Sequence, residues 1–475
     1  MTTELLPRST PADQGVSSRA VDALLDRLAA KGIECHSLMI VRHGHVIAEG
    51  WWAPYSAERP HLLYSLTKSF TSMAVGLAVE DGVLSLDDRV ADVLPDHVPS
   101  DAPEQALRLT VHHLLTMTAG HEDDTLVEGW EREPQDLVKG FLRVPAVAPE
   151  GTLHTYDNAT TFILARMVER VTGRPLDDYL DDRLLAPMGI ADADWDRVGS
   201  GAVFGFHGLH LRTEAVAAFG ELLRRRGLWG EQRLVSAEWV DLATRSHVES
   251  RYHPEITHAP DFRSGYGYQI WMSQHGFHGN GAYGQHCIVV PAHELVVVLT
   301  SAQTRVEHAQ DVLDAVWDCL LPGMDRPTPA DDRGLEERMR NLRLPMPQAS
   351  EAGSERILAS TIDASIADSA LPHGTMIRVK PADDGWIVRI GALFEVPVGR
   401  ARWHDSAPLG RPVSASGGWR DDTFIADLQL TTAPHRVRLT VGSRTATAVW
   451  TTVPLTTSNL VLHLTAPLMT RPEVA

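Results

Sequence analysis

Two side chains near the start of a long apolar segment have the types and spacing of a nucleophile and its base. Ser65 and Lys68 are three residues apart, so on a helix the hydroxyl and the amine share one face. A serine hydroxyl is a poor nucleophile until a neighbouring base takes its proton. Lysine serves as that base only when burial or nearby positive charge keeps its amine neutral near pH 7. The pair therefore points to nucleophilic catalysis.

The setting of Lys68 favours a functional role over an accident of sequence. A Ser-x-x-Lys pattern recurs by chance, but lysine occurs only four times in this chain. The following residues are apolar on nearly every side, which is typical of a buried helix: Phe70, Met73, Ala74, Val75, Leu77, Ala78 and Val79. A lysine at the start of such a helix is costly unless it has a role.

Tyr156 and Asn158 lie at the entry to a second predicted helix, from about 160 to 171. The phenol could share a proton with Lys68, and the Asn158 amide could hold either a substrate amide or the lysine. The structural alternative is that Asp157 or Asn158 caps the helix while Tyr156 packs at its foot. Both interpretations stay open at this stage.

A glycine-rich segment, 278–285, leads into a predicted strand at 286–290. Glycines at a strand edge allow a ligand to approach the backbone closely. A backbone N–H here could therefore join that of Ser65 in an oxyanion hole. The alternative is a tight turn between two strands. His278 is a further candidate for contact with substrate.

The elements that would position these residues predict an α+β architecture. Short β-type runs precede the Ser65 helix, mainly helical sequence follows from 87 to about 245, and β-type runs return afterwards. An antiparallel sheet built from both ends, flanked by helices and a helical subdomain, accounts for this order. The β-type runs are 38–42, 45–49, 266–272, 286–290 and 295–300.

Beyond residue 322 the character of the sequence changes. A Pro- and Asp-rich stretch predicts a linker over 323–349, and alternating Thr- and Val-rich runs then predict a smaller all-β domain over 350–475. These runs are 375–380, 385–390, 423–430, 436–441 and 445–451. No nucleophile with a plausible partner lies in this region, so the chemistry is expected in the first domain, 1–322.

Bulk properties exclude several classes of partner. A chain of 475 residues is too long to fold around a single hydrophobic core. Its net charge of −19 argues against nucleic acid or an anionic membrane as a partner. Cys35, Cys287 and Cys319 are far apart, which suits a reducing compartment. The chain shows neither a signal peptide nor a stretch of about 20 apolar residues. We therefore expect a cytoplasmic protein.

In its order and context, this set of motifs resembles the serine β-lactamase and penicillin-binding-protein superfamily. Ser65-x-x-Lys68 is followed by Tyr156-x-Asn158 and by a glycine-rich segment ending in Tyr283-Gly284-Gln285. The chain is most similar to the branch of class C β-lactamases, β-lactamase-like esterases and 6-aminohexanoate-dimer hydrolases. The resemblance covers roughly residues 10–320 and leaves out the C-terminal domain.

The resemblance implies an acyl-enzyme mechanism without cofactor or metal. Ser65 would attack a carbonyl while Lys68 and Tyr156 relay its proton, with either of them as the base. The N–H groups of Ser65 and Ala282 would form the oxyanion hole. Asn158, His278, Asn280 and Gly281 would contact substrate. The expected partner is a small ester or amide, and self-association into a homo-oligomer is left open.

One departure from the family pattern bears on the substrate. The family's lactamases carry Lys-Thr-Gly or a similar triplet where this chain reads Gly279-Asn280-Gly281. Without that cation, recognition of a substrate carboxylate is in doubt, and so is β-lactam or peptidoglycan-stem chemistry. The sequence therefore favours a hydrolase of small esters or linear amides over a β-lactamase or a D-amino-acid peptidase.

Other classes fit the sequence less well. The 23 histidines form no His-Glu-x-x-His or other spacing with strong metal meaning, and no Gly-x-Ser-x-Gly of an α/β-hydrolase occurs. A catalytically inactive binding or regulatory module of the same fold remains an alternative. The intact Ser65, Lys68 and Tyr156 argue against it.

Overall fold

An antiparallel six-stranded sheet forms the centre of the first domain. The computed structural model describes residues 4–253, 255–347, 356–363, 369–465 and 469–470. In spatial order the strands are His45–Trp51, Cys35–Arg42, Leu295–Ser301, Gln285–Val290, Gly276–Gly281 and Trp271–Ser273. Strands from the two ends of the domain therefore pair side by side, as predicted.

Alternation along the central strands divides the domain into layers. Met39 and Val298 face one core, while their neighbours Ile40 and Val297 face another, because successive side chains of a strand point to opposite faces. The first core is covered by Thr67–Glu80, Asn158–Thr172 and Thr213–Arg224; the second is covered by Ser18–Ala30 and His308–Ala315. The predicted flanking helices are confirmed.

The helical subdomain lies in chain order between two strands of the central sheet, His45–Trp51 and Trp271–Ser273, and carries several short elements. A small sheet of His61–Leu62, Leu209–Leu211 and Asp194–Trp195 leads directly into Ser65. Leu228–Trp229 pairs with Gln232–Arg233. The subdomain's further α-helices are Val90–Val93, Val111–Leu115, Leu126–Arg132, Leu137–Phe141, Leu176–Leu180 and Ala237–Ala243.

The predicted β run over 266–272 is mostly wrong. Only Trp271–Ser273 forms a strand. Gln269 adopts a left-handed backbone with φ of 60°, and the N–H of Gly267 donates to Ile270 O at 2.8 Å, so the chain turns there. The buried Gln269 side chain holds this turn by donating to the backbone oxygens of Leu114 and Leu115.

The C-terminal region forms a closed β-barrel. Eight strands close through two parallel pairings, Phe394–Arg400 with Val413–Arg420 and Leu358–Ile362 with Thr445–Trp450. The other barrel strands are Met376–Ala382, Gly385–Ile390, Thr423–Leu430 and Arg436–Val441, and a ninth strand, His404–Ser406, extends the sheet. Trp386, Trp419 and Phe424 fill its interior. The predicted all-β domain is confirmed.

The range 323–349, predicted as a linker, contains helix Asp332–Arg340. Its two buried residues, Leu335 and Met339, pack on the first domain, and Arg338 donates to Asp22 at 2.8 Å. Residues 348–355, where the second domain was predicted to begin, lie outside the described residues. Within the described ranges, no helix has the length and apolar character needed to cross a membrane.

Candidate active site

Ser65 lies in a single 3-10 turn, Tyr64–Leu66, that continues into helix Thr67–Glu80. Every residue of this helix from Thr67 to Ala78 is buried, so the apolar character seen in the sequence reflects a helix enclosed on all sides. Ser65 itself is half-buried. The turn thus presents the hydroxyl at the edge of the first core.

Lys68 is buried, with 1% of its surface exposed, and its amine is fully engaged. Nζ donates to Ser65 Oγ at 2.9 Å, to Asn158 Oδ1 at 2.6 Å and to Phe206 O at 3.1 Å. These three acceptors match the three hydrogens of an ammonium group. In the neutral amine two hydrogens suffice for Asn158 and Phe206, and the lone pair is then free to accept from Ser65 Oγ. The amine is therefore held at a fixed position beside the Ser65 hydroxyl.

The surroundings of Lys68 favour its neutral form far more than water does. Burial lowers the pKa of the amine to about 7, while the carboxylates of Asp124 and Asp157 act in the opposite direction. Desolvation penalises the charged form of a lysine, and nearby negative charge favours it. Burial is the larger influence here. Close to neutral pH, a substantial fraction of Lys68 is therefore able to accept a proton.

Asn158 begins helix Asn158–Thr172 and connects Lys68 to the acidic residues. Its amide nitrogen donates to Asp124 Oδ2 at 2.5 Å, which assigns Oδ1 to the lysine. The N-cap of the helix is Asp157, which accepts from the N–H of Ala159 at 2.9 Å. The two sequence interpretations thus apply to different residues, with Asp157 as the cap and Asn158 as the partner of Lys68.

Asp124 is a site residue that sequence reasoning did not identify. Loss of hydration and the neighbouring Asp157 carboxylate raise the pKa of Asp124, although the residue keeps contact with solvent. It lies in the run Glu122-Asp123-Asp124, which has no spacing that distinguishes one carboxylate from the others. Only the contact with Asn158 identifies it.

Tyr156 lies over the Lys68 amine. Nζ is 4.8 Å from the centre of its ring, and the ring of Trp271 stacks on that of Tyr156 at 5.4 Å. Burial raises the pKa of the phenol, and a hydrogen bond with the Ser65 side chain offsets only part of this effect. Tyr156 therefore stays protonated near neutral pH, within reach of Ser65.

The glycine-rich strand Gly276–Gly281 packs directly on the Ser65 segment. A Cβ on Gly281 would lie 2.0 Å from Leu63 O, and one on Gly279 would lie 2.2 Å from Leu66 Cδ1. Such contacts are far inside van der Waals range, so only glycine fits at either position. The glycines were expected to admit a ligand, but the close approach is made by the chain's own nucleophile segment.

Two backbone N–H groups beside this contact are free. Among the residues that the structure describes, neither the N–H of Ser65 nor that of Ala282 donates to any acceptor. Backbone donors without a partner are uncommon away from bulk water. They belong to the two segments that the Gly281 contact brings together. The arrangement suits an oxyanion hole.

The two remaining predicted substrate contacts differ in accessibility. His278 has no exposed surface, and its Nδ1 is 2.6 Å from Ser273 Oγ, so its position does not support contact with substrate. Burial lowers the pKa of this imidazole to about 4. Asn280 is half-buried, and its amide lies 3.4 Å from His286 Nδ1, which leaves part of the side chain accessible.

Comparison with known proteins gives a consistent result for the first domain. The family described as "Beta-lactamase" matches residues 21–318. Over 202 residues the chain is 36% identical to Penicillin-binding protein 4 of Amycolatopsis lactamdurans, covering 41% of this chain and 52% of that protein. It is 24% identical over 327 residues to 6-aminohexanoate-dimer hydrolase of Paenarthrobacter ureafaciens, covering 63% and 83%. The chain thus spans about half the length of the first of these relatives.

A solved structure extends the similarity of fold into the C-terminal region. The octameric penicillin-binding protein homologue from Pyrococcus abyssi superimposes with a TM-score of 0.51. The match covers 90% of this chain and 99% of the homologue at 16% identity. At this identity the likeness concerns the fold alone.

Proposed function

Because the chain belongs to the beta-lactamase family, we propose that it is a serine hydrolase that cleaves a small ester or linear amide through an acyl-enzyme on Ser65. One observation carries the proposal. The buried Lys68 amine, with its pKa lowered to about 7, lies 2.9 Å from the Ser65 hydroxyl. A nucleophile and a base within hydrogen-bond reach are the signature of covalent catalysis.

In the first step, neutral Lys68 accepts the Ser65 proton as Oγ attacks the substrate carbonyl carbon. Lys68 is the better acceptor of the two candidates, because the raised pKa of Tyr156 disfavours its phenolate. The new bond converts the carbonyl into a tetrahedral intermediate with a negatively charged oxygen. The free N–H groups of Ser65 and Ala282 stabilise that charge.

Collapse of the intermediate breaks the bond to the leaving group. The proton held on Lys68 moves to the leaving alcohol or amine, with the Tyr156 hydroxyl as the relay beside Ser65. Water then attacks the acyl-enzyme with Lys68 again as the proton acceptor, which releases the acid and restores the Ser65 hydroxyl. Asn158 and Phe206 O hold the lysine in place during both halves of the cycle.

The Gly279 position supports neutral substrates over carboxylate-bearing ones. In the family pattern this place carries a cation, whereas here Leu66 occupies the space where a side chain would begin. A lysine could not enter without displacing Leu66. The similarity to a 6-aminohexanoate-dimer hydrolase supports an amide as well as an ester as the bond that is cleaved. It does not bear on the preference for neutral substrates, because a linear dimer of 6-aminohexanoate ends in a carboxylate. Penicillin-type substrates, which carry a carboxylate, are expected to react poorly.

A substrate panel on one preparation tests this preference. We expect short-chain p-nitrophenyl esters to be turned over with a kcat/KM at least about 100-fold above that for a chromogenic cephalosporin, a difference of about 3 kcal/mol. Linear amides should fall between these two. Ser65→Ala gives the background for each substrate. Cephalosporin hydrolysis as efficient as ester hydrolysis would contradict the proposed substrate class.

Two further properties stay predictions. The cytoplasmic location rests on the sequence alone. Self-association likewise stays open, although an octameric homologue exists.

A further inference from the structure

The residues next to both free N–H groups reach out of the first domain to the C-terminal barrel. Tyr64, immediately before Ser65, has its phenol oxygen 2.5 Å from His435 Nε2. Tyr283, immediately after Ala282, donates from its phenol to Val453 O. Both acceptors belong to the barrel domain. Each half of the proposed oxyanion hole is thus attached to the second domain by the residue beside it in sequence.

The three rings of Tyr64, Tyr283 and His435 also pack on one another. The two tyrosine rings meet edge to face at 5.2 Å, and His435 lies 5.1 Å from Tyr283 and 5.8 Å from Tyr64. Edge-to-face contacts at these distances are favourable. The cluster therefore links the Ser65 segment, the Ala282 segment and the barrel at a single place.

His435 is held in a defined orientation. Its Nδ1 lies 2.9 Å from Thr452 O, and a carbonyl oxygen only accepts, so Nδ1 carries the hydrogen and Nε2 accepts from Tyr64. Burial lowers the pKa of this imidazole well below its usual range, which keeps the ring neutral. A neutral ring with one donor and one acceptor is the form that this pair of contacts requires.

The backbone at both tyrosines is in a conformation that needs external support. Tyr64 has φ of 49° and Tyr283 has φ of 62°. Side chains other than glycine adopt this left-handed region rarely and at an energetic cost, and they stay there when their surroundings hold them. Each strained peptide lies next to one of the free N–H groups. The phenol contacts with the barrel provide that support.

The barrel loop that carries His435 also docks on the same segment through its backbone. The N–H of Leu62 donates to Thr432 O at 2.8 Å, and His210 lies 3.2 Å from the same oxygen. A buried ion pair between Arg411 of the barrel and Asp196, at 2.7 Å, lies beside this contact. The loop is therefore a fixed part of the wall behind Ser65.

We propose that the C-terminal barrel positions the oxyanion hole. His435, Tyr64 and Tyr283 act as positioning residues that hold the N–H groups of Ser65 and Ala282 where both can donate to the same substrate oxygen. The inference rests on the proposed acyl-enzyme function. It assigns a role to a domain that lies outside the family match at residues 21–318. None of the three side chains takes part in bond making.

His435→Ala is the first test, in the full-length protein with a p-nitrophenyl ester. Removing one oxyanion donor outright costs about 10²–10³-fold in kcat, so loss of a group that only positions the donors should cost about 10–100-fold. KM should change by less than about twofold, because the carbonyl charge develops only in the transition state. Tyr64→Phe and Tyr283→Phe should each lower kcat by a smaller factor than His435→Ala does, again with little change in KM. His435→Gln should recover part of kcat, since its amide oxygen can accept from Tyr64.

The matched control removes a different contact between the same two domains. Asp405→Asn removes the negative charge from the pair of Arg59 with Asp405, whose N–O distance is 2.5 Å, without touching the cluster, and should leave kcat unchanged. The pH at which kcat/KM is half-maximal should be the same in His435→Ala as in the wild type. A loss of kcat in Asp405→Asn equal to that in His435→Ala would overturn the proposal.

Two outcomes separate this proposal from the proposed function. If Ser65→Ala is inactive but Tyr64→Phe, Tyr283→Phe and a folded His435→Ala keep the wild-type kcat, the positioning role is wrong and the function stands. If Ser65→Ala keeps the wild-type turnover, the function itself is wrong. Should His435→Ala not fold, the two phenylalanine variants, which retain the rings, decide the question.

Discussion

Replacing Lys68 by methionine should lower kcat for a p-nitrophenyl ester by about 10³-fold or more, within the range measured for general bases. Methionine fills much of the same buried space without an amine, so Ser65 loses the group that would accept its proton. Asn158 Oδ1 and Phe206 O lose a donor, which adds a cost in stability of about 1–3 kcal/mol. Steady-state kinetics beside a thermal unfolding curve separate the two effects.

Lys139→Met is the matched control, because Lys139 is a partly exposed lysine whose amine lies 3.7 Å from Glu133 at the surface. It should keep the wild-type kcat. Retention of more than about a tenth of the wild-type rate in folded Lys68→Met would contradict the assignment of Lys68 as a base.

The same assignment fixes the pH dependence of the wild type. A protonated amine cannot accept the Ser65 hydrogen, so kcat/KM should fall tenfold per pH unit below a pKa of about 7 and level off above it. A profile that stays flat from about pH 5 to pH 8 would mean that no group titrating near neutrality is required.

Gly281→Ala should lower kcat by about 100-fold, comparable to the loss of one oxyanion donor. The added Cβ would lie 2.0 Å from the backbone oxygen of Leu63, and no side-chain rotation relieves a clash with backbone. The strand that leads to Ala282 must therefore move away from Ser65. We also expect a loss of about 1–3 kcal/mol in stability, as is usual for overpacking a buried site.

Gly334→Ala provides the control for this substitution. It lies in helix Asp332–Arg340, and a Cβ there meets nothing within 4 Å, so its activity should equal that of the wild type. Alanine favours a helix over glycine by about 1 kcal/mol, and its melting temperature should therefore rise slightly or stay unchanged. Full activity in Gly281→Ala would mean that the strand does not form part of the reacting site.

Most of the fold could be predicted because its elements have strong local patterns. The run at 38–42 is continuously apolar up to Val41, the runs at 385–390 and 423–430 are rich in alternating apolar residues, and the strands found there agree closely with these bounds. Val413–Arg420 was not predicted, since two glycines interrupt its apolar pattern, and Pro397 does the same in Phe394–Arg400. These strands exist because barrel closure pairs them, and no local signal encodes that pairing.

The residues of the candidate site also differ in whether a local sequence pattern could predict them. Ser65, Lys68, Tyr156 and Asn158 were found because each lies at the start of a strongly patterned helix. Asp124 and His435 were not found, because their contacts join segments 34 and 371 residues apart.

The sequence predicted close approach to the backbone at Gly281 but did not predict the contact with the Ser65 segment. A glycine in a strand does indicate close approach, but the sequence cannot say what approaches. Here it is Leu63 O, a group on the segment that carries the nucleophile. Such a contact depends on the tertiary arrangement of two segments more than 200 residues apart, and therefore only the folded structure reveals it.

Covalent labelling of Ser65 tests the central claim most directly. The wild-type protein, incubated with a p-nitrophenyl phosphonate ester, should release one equivalent of p-nitrophenol and gain one phosphonyl group. Peptide mass spectrometry should place that group on Ser65, and Ser65→Ala should take up none, while Lys139→Met labels at the wild-type rate. An adduct on another serine, or a fully folded wild-type protein that stays unlabelled, would contradict the assignment of Ser65 as the nucleophile.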